Sequence, residues 1–183
     1  MKHILLFFSL ITLLSCKSNI ETADSFSQKI IDNIKNKDAE KIYALFMTPE
    51  ETAIYGFETT AISSEEMANL KSPEEYFKLI IDKSNKNKAF EIKTINQYLD
   101  HFNKMLDWNK VRITKVESNL IESKKVHHMK DKSEANCEIY DLTITLKLED
   151  NKERLVKINK AMKLADRWLI FPVHSFGIEV PEE

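Results

Sequence analysis

Glycine is scarce in this chain, occurring only at Gly56 and Gly177 among 183 residues. Phosphate-cradling loops and dinucleotide-binding turns need several closely spaced glycines, because their backbone turns tightly and approaches the phosphate closely. Both classes of site are therefore excluded. Long apolar runs are missing as well, and no stretch after Cys16 approaches the roughly 20 residues that a membrane-spanning helix needs.

An excess of basic residues is also lacking. The sequence has 27 lysines and arginines against 29 acidic residues, for a formal net charge of −2. Proteins that bind phosphate backbones are strongly basic, so nucleic acid is not an expected partner.

The usual motifs of metal sites and nucleophilic catalysis are missing too. The neighbours His127 and His128 would point to opposite sides of an extended chain, and no second pair of ligands follows at a known spacing. No serine lies in a nucleophile elbow, and no histidine pair has metalloprotease spacing. We expect no metal, no cofactor and no catalytic residue that sequence alone can name.

Only two cysteines occur, Cys16 and Cys137. Cys16 follows Leu13-Leu14-Ser15, and before that come the basic Lys2 and an apolar segment of signal-peptide length. This start resembles a bacterial lipoprotein signal, in which the cysteine after the cleavage site carries a diacylglycerol on its thiol and an acyl chain on its new amino group. The resemblance implies that Cys16 is lipidated and is the first residue of the mature protein.

The resemblance also predicts the organisation of the chain and its location. Residues 1–15 form the signal peptide, 16–22 the acylated cysteine and tether, and 23–183 a single domain of ordinary size. The membrane is then a partner through the lipid anchor, in the bacterial cell envelope. Because Lys17 rather than an aspartate follows the cysteine, the outer membrane is favoured in a cell with two membranes. Cys137, left alone, is expected to be a small strand residue rather than a reactive thiol.

The first half of the chain has helical periodicity. Phe26, Ile30 and Ile34 recur every four residues, and a second short helix is expected from Asp38 until Thr48-Pro49 ends it. Ser72-Pro73 predicts the start of a third helix that runs to about Ser84, because serine is a good N-cap and proline suits the first turn. We expect a loop over residues 85–88 and a fourth helix over residues 91–106.

After Trp108 the apolar period changes to two, which is typical of strands. Val111 and Ile113 alternate but Val116 is out of phase, which predicts a bulge in the first strand. Matching the apolar faces of the later strands predicts hairpin loops of about three residues, at 150–152 and 165–167. The resulting register sets Ile144 opposite Ile158, Tyr140 opposite Met162, and Met162 opposite Ile170.

These elements predict an α+β fold, with N-terminal helices packed on a curved antiparallel sheet of about four strands. The order resembles that of nuclear-transport-factor-two-like, or SnoaL-like, domains, whose helices and sheet enclose a cone-shaped cavity. One departure is the substantial helix near 84–106, where many members have shorter connections. The similar segments are the helical hairpin at 31–46, with its Lys37-Asp38-Ala39-Glu40-Lys41-Ile42 connection, and the strands at 140–146, 155–164 and 166–170.

Four polar residues are candidates for binding a ligand in such a cavity. Lys160 shares the phase of the apolar residues of its strand and, in the register above, faces Leu142, with Glu138 as a counter-ion. The alternative is that Lys160 lies at the rim and extends its amine to water. Tyr140 lies on the same strand face as Glu138, and His101 is either a cavity histidine or a helix-surface residue.

Three classes of function remain open. The leading hypothesis is a lipid-anchored module that binds a small apolar or anionic ligand or an envelope protein. The second is an enzyme of the isomerase or dehydratase kind, with an acid or base inside the cone. The third is a protein-interaction or immunity-type module that uses the outer face of the sheet. Fold alone does not choose among them.

Overall fold

The computed structural model describes residues 21–55, 72–128, 131–170 and 176–179. Cys16 and the rest of the predicted signal and tether up to residue 20 lie outside this part of the chain. Helix α1 covers Ala23–Lys35 and buries Phe26, Ile30 and Ile34, as the periodicity predicts. Its N-cap is Thr22, whose hydroxyl accepts a hydrogen bond from the Ser25 amide at 3.2 Å.

Two short helices follow. Helix α2 covers Ala39–Tyr43 and begins where predicted, because an Asp38 carboxylate oxygen accepts a hydrogen bond from the Lys41 amide at 3.0 Å. The prediction that Thr48-Pro49 ends this helix is wrong. The proline instead begins helix α3, Pro49–Tyr55, and Thr48 caps it by accepting from the Glu51 amide at 3.1 Å. Proline suits a first helical turn because its missing N–H has no partner there anyway.

Helix α4 is one continuous helix of 33 residues, Pro73–Met105, about 50 Å long at 1.5 Å per residue. It begins at the predicted cap, where the Ser72 hydroxyl accepts from the Glu75 amide at 3.3 Å. The predicted loop at 85–88 is wrong. Asparagine and lysine lower helix propensity only slightly, and no glycine or proline breaks the backbone there.

An antiparallel sheet forms the second half of the chain and confirms the predicted fold class. A short 3₁₀ turn over Trp108–Lys110 leads into the first strand. Strands β1 to β4 lie side by side in chain order, and strand β5 pairs with the first half of β3 while β4 pairs with its second half. The strands are β1 Arg112–His127, β2 Glu134–Lys147, β3 Glu153–Leu164, β4 Arg167–Ile170 and β5 Phe176–Glu179.

Strand β2 follows the predicted alternation, with Leu142, Ile144 and Leu146 all buried. The bulge predicted in β1 is confirmed, because its pairing with β2 shifts by one residue between Ile113 and Lys115. That shift brings Ile113 and Val116 to the same face of the sheet, where both pack on the main core.

The predicted register of the later strands is wrong because the β2–β3 loop is longer than expected and because β3 contains a bulge. Tyr140 pairs with Ala161 and Leu142 with Ile158, so that two residues of β3 lie opposite one of β2. The second of these, Lys160, has a φ of 64°, in the left-handed region. A bulge of this kind inverts the alternation of the strand beyond it.

All three predicted pairings differ from the observed ones, that of Ile144 because the β2–β3 loop is longer and those beyond the bulge because the alternation is inverted. Ile144 lies opposite Val156, Ile139 opposite Met162, and Met162 opposite Leu169. The hairpin loops have five and two residues instead of three, at 148–152 and 165–166. The bulge therefore moves Met162 and Leu164 away from the face that carries Val156 and Ile158.

The buried side chains form three clusters. The main core joins α1, α2 and the second half of α4 to one face of the sheet. A second cluster contains Cys137, Met162, Leu164 and Leu169, whose phase places them on the opposite face. In a third cluster, Ala53 of α3 packs on Tyr76 and Ile80 in the first half of α4.

Candidate functional site

Two of the predicted site residues meet on strand β2. The Tyr140 hydroxyl donates a hydrogen bond to Glu138 Oε2 at 2.8 Å, and both side chains are half-buried. They share a face because residues two apart on a strand point the same way. The centroid of the Tyr140 ring lies 4.9 Å from that of Trp168 on β4. A carboxylate, a phenol and an indole are thus placed together at the margin of the core.

Trp168 is held in place by Glu21, the first residue that the structure describes. Its indole Nε1 donates to the Glu21 carbonyl at 3.0 Å, and its backbone amide donates to the Glu21 carboxylate at 3.0 Å. On the other side, Phe26 of α1 stacks on the indole with 5.9 Å between ring centroids. The N-terminal end of the domain is therefore anchored beside this group of residues.

The group extends to the edge strand β1. Leu120 is the β1 partner of Tyr140, and 55% of it is exposed. The pairing shifts again between Leu120 and Glu122, which leaves Ile121 as an extra residue with 54% of its surface exposed. We call Leu120, Glu138, Tyr140 and Trp168 the shelf. It presents an exposed aliphatic edge next to an aromatic pair and a carboxylate.

We expect the Tyr140 hydroxyl to contribute measurably to the stability of the protein. Tyr140→Phe is expected to lower the free energy of unfolding at pH 7 by about 0.5–1.5 kcal/mol, because the hydrogen bond to Glu138 is lost. Burial, and next the Glu138 carboxylate, raise the pKa of Tyr140. The wild-type protein therefore loses stability as the pH rises through this raised pKa. The difference in the free energy of unfolding between the wild type and Tyr140→Phe becomes smaller above pH 10.

Urea denaturation at pH 7 and pH 10.5 measures this effect, with Tyr98→Phe on the exposed side of α4 as the matched control. An equal loss in both variants would contradict the hydrogen bond as its cause.

The other predicted site residues lie apart from the shelf. Lys160 is exposed in the β3 bulge, outside the phase of the buried residues, and Ile158 takes the predicted position opposite Leu142. The predicted Lys160–Leu142 pairing is therefore wrong, because the β2–β3 loop has five residues instead of three. His101 is exposed on α4, where its ring lies 6.2 Å from that of the buried Phe102.

A second titratable pair joins α2 to α4. The Tyr43 hydroxyl and the Glu91 carboxyl lie close enough to influence each other's pKa, and Lys88 Nζ lies 5.5 Å from the centroid of the Tyr43 ring. Burial raises the pKa of Glu91, although the Tyr43 hydroxyl acts in the opposite direction. Burial also raises the pKa of Tyr43, with a further contribution from the negative charge of Glu91.

Replacement of the Glu91 carboxyl is expected to raise the stability of the protein in a pH-dependent way. A group whose pKa is higher in the folded state than in the unfolded state contributes stability that is complete below the unfolded pKa, near 4.5, and is lost as the pH rises through the folded pKa. Glu91→Gln carries no titrating carboxyl at this position, so the variant does not lose this stability as the pH rises. We expect the variant to have a higher melting temperature than the wild type at pH 7.5 and the same one at pH 4. A wild type that is more stable at pH 7.5 would contradict the desolvation of this carboxylate.

His128 and Cys137 make contacts that are typical of structural residues. His128 Nδ1 lies 3.1 Å from Asp131 Oδ1, and its ring packs edge-on against Tyr55. The described residues contain no group of three or more potential metal ligands. Cys137 is fully buried, and burial raises the pKa of its thiol, which lowers its reactivity.

A groove of about 330 Å³ lies at the C-terminal end of α4. Its walls include Lys35, Lys104 and Asp107, beside the buried Trp108. The Trp108 indole donates to the Phe102 carbonyl at 2.9 Å, so it helps to end the helix and is not available to a ligand. This groove is a weaker candidate than the shelf because its walls contain none of the four residues predicted to bind a ligand, whereas the shelf contains two of them.

Sequence reasoning found Glu138 and Tyr140 but missed their neighbours in the shelf. The sequence predicts Trp168 only as a residue of the strand at 166–170, and it predicts no role for Glu21 or Leu120. Leu120-Ile121 interrupts the polar alternation of β1, and two adjacent aliphatic residues on an edge strand are a signal that could have marked this position.

Comparisons with known proteins give no relative. No family model matches the sequence, and no curated protein or solved structure is significantly similar to it. Within the described ranges, no helix is both long enough and apolar enough to cross a membrane. The arrangement of the shelf is therefore the main basis for a functional proposal.

Proposed function

We propose that this chain is a lipid-anchored protein of the bacterial cell envelope, held by acyl chains on Cys16, and that it binds its partner through the shelf. The carrying observation is the shelf itself, in which the half-buried Tyr140 and Glu138 lie on the buried Trp168, which is bonded to Glu21. The fold proposal remains a SnoaL-like domain, supported by the order of helices and strands.

The start of the domain supports the anchor. Only Lys17 to Ile20 separate Cys16 from Glu21, which is bonded to Trp168, and the capped helix begins at Ala23. Such a short connection suits a tether between acyl chains and a folded body. Two or three acyl chains would hold the protein durably, because each buried methylene contributes about 0.8 kcal/mol.

The packing of the main core supports binding at the shelf rather than deep between the layers. Large side chains from both layers, among them Phe26, Leu99 and Phe102, meet Ile144 and Ile158 of the sheet at 0–4% exposure. The polar groups of the shelf lie at the margin of this packing, where a partner reaches them without unfolding the domain.

Metabolic labelling with a fatty acid tests the anchor. We expect the wild-type protein to incorporate the label and to fractionate with membranes, and Cys16→Ser to do neither. Cys137→Ser is the matched control, because it replaces the other cysteine by the same residue and should keep label and location. A wild-type protein without label, or a labelled Cys16→Ser, would overturn the proposal.

A further inference from the structure

We infer that the lipid surface that holds Cys16 is also the partner of the shelf, contacted by Leu120 and Ile121. This inference rests on the proposed function and names the partner of the same site. Both side chains are more than half exposed, and they are adjacent in a bulge of the edge strand. Exposed aliphatic pairs of this kind lower their free energy by entering the boundary between lipid headgroups and acyl chains.

The tether limits how far the domain can lie from the membrane. Five residue steps from Cys16 to Glu21 span at most about 17 Å when fully extended. Since Glu21 is bonded to Trp168 on the shelf, the lipid surface must lie within that distance of this end of the domain. The side of the domain that carries the shelf is thereby turned towards the bilayer.

The sheet places Leu120 within the same reach. Leu120 pairs with Tyr140, Tyr140 with Ala161, and Ala161 with Ile170 of β4. Three strand spacings of about 4.8 Å, together with the two-residue offset from Ile170 to Trp168, give a separation of about 16 Å between Leu120 and Trp168. The tether and the aliphatic pair can therefore meet one flat surface at the same time.

Two other exposed apolar residues of the described chain, Tyr98 and Met105, do not have this position. Both lie in the second half of α4. The C-terminal part of that helix contacts the far end of α1, where the Asn103 side chain donates to the Ile34 carbonyl at 3.4 Å. Twelve residues of helix separate Ile34 from Thr22, which is about 18 Å. The aliphatic pair of β1 is thus the better match to the anchored end.

The polar part of the shelf suits the headgroup layer. The Glu138 carboxylate accepts a hydrogen bond from Tyr140, and Lys163 lies opposite Glu138 in the sheet register. An amphipathic surface with aliphatic side chains on one side and hydrogen-bonding groups on the other fits the interface between headgroups and acyl chains.

Spin-label accessibility on the anchored protein tests this contact. The acylated full-length protein, with Ile121→Cys or Leu120→Cys carrying a nitroxide, is reconstituted into vesicles of phosphatidylethanolamine and phosphatidylglycerol. The control is Met105→Cys, which is 37% exposed at the C-terminal end of α4. All three positions are exposed, so the fold tolerates the label, and the buried Cys137 of the parent supplies the background.

We expect the ratio of oxygen to aqueous nickel-chelate accessibility at positions 120 and 121 to exceed that at position 105 by about threefold or more, as for side chains below the headgroups. Equal ratios at the three positions would overturn the contact. Protection from both reagents would also overturn it, because it would indicate a protein partner. Flotation of the parent with the vesicles distinguishes the two proposals. If the parent floats while position 121 stays accessible to the aqueous reagent, only the lipid contact is overturned. If the parent does not float, the anchor is overturned as well.

Discussion

Phe26→Ala is expected to lower the free energy of unfolding by about 3–5 kcal/mol, because it leaves a cavity in the main core. Phe26 has no exposed surface and stacks on Trp168, which in turn holds Tyr140 and the Glu21 end of the chain. A native protein is stable by only about 5–15 kcal/mol, so this single change removes a large part of the total.

Urea denaturation of Phe26→Ala and of Phe90→Ala measures the effect with a matched control. Both changes remove the same atoms from a helix, but Phe90 is 72% exposed. Phe90→Ala should alter the free energy of unfolding by no more than about 0.5 kcal/mol. The midpoint should fall for Phe26→Ala at an unchanged slope, since a changed slope would indicate a different unfolded state. Equal midpoints in the two variants would contradict the packing described for α1.

Deletion of Lys160 is expected to destabilise the protein by about 3–6 kcal/mol, which is the burial free energy of two large apolar side chains. Without the bulge, the end of β3 would turn over, and Met162 and Leu164 would leave the second cluster for the face that carries Ile158. To keep them in place, the strand would have to break its pairing with β2.

Lys160→Gly is the control for this deletion. It keeps the number of residues in β3, and glycine adopts the φ of 64° observed at this position without steric cost. We expect it to be as stable as the wild type or slightly more stable, by the same urea measurement. A deletion variant that unfolds at the wild-type midpoint would show that the bulge has no part in setting the register.

The sequence predicted those elements whose signal is local. Asp38 and Ser72 cap helices because their side-chain oxygens reach an amide three residues later, a contact that three letters of sequence define. The alternation of Leu142, Ile144 and Leu146 likewise defines the buried face of β2 without reference to other strands. These predictions needed no knowledge of tertiary contacts.

The incorrect predictions depend on contacts between distant residues. Lysine is an unusual choice for a left-handed position, so nothing in the letters Asn159-Lys160 marks the bulge that sets the register. Helix α4 continues through residues 85–88 because no glycine or proline interrupts it and because both of its halves pack on other elements. Half of the shelf was predicted because Glu138 and Tyr140 are neighbours on one strand, whereas Trp168 and Leu120 join them only through the pairing of four strands.

Helix α4 connects two regions that are packed separately. Its first half contributes Tyr76 and Ile80 to the cluster with α3, its second half contributes to the main core, and residues 85–90 between them are exposed. A small cluster of this kind melts at a lower free energy than the sheet does. Amide protons in the first half of α4 can therefore exchange with solvent through local opening. Those of β2 and β3 exchange only when the whole molecule unfolds.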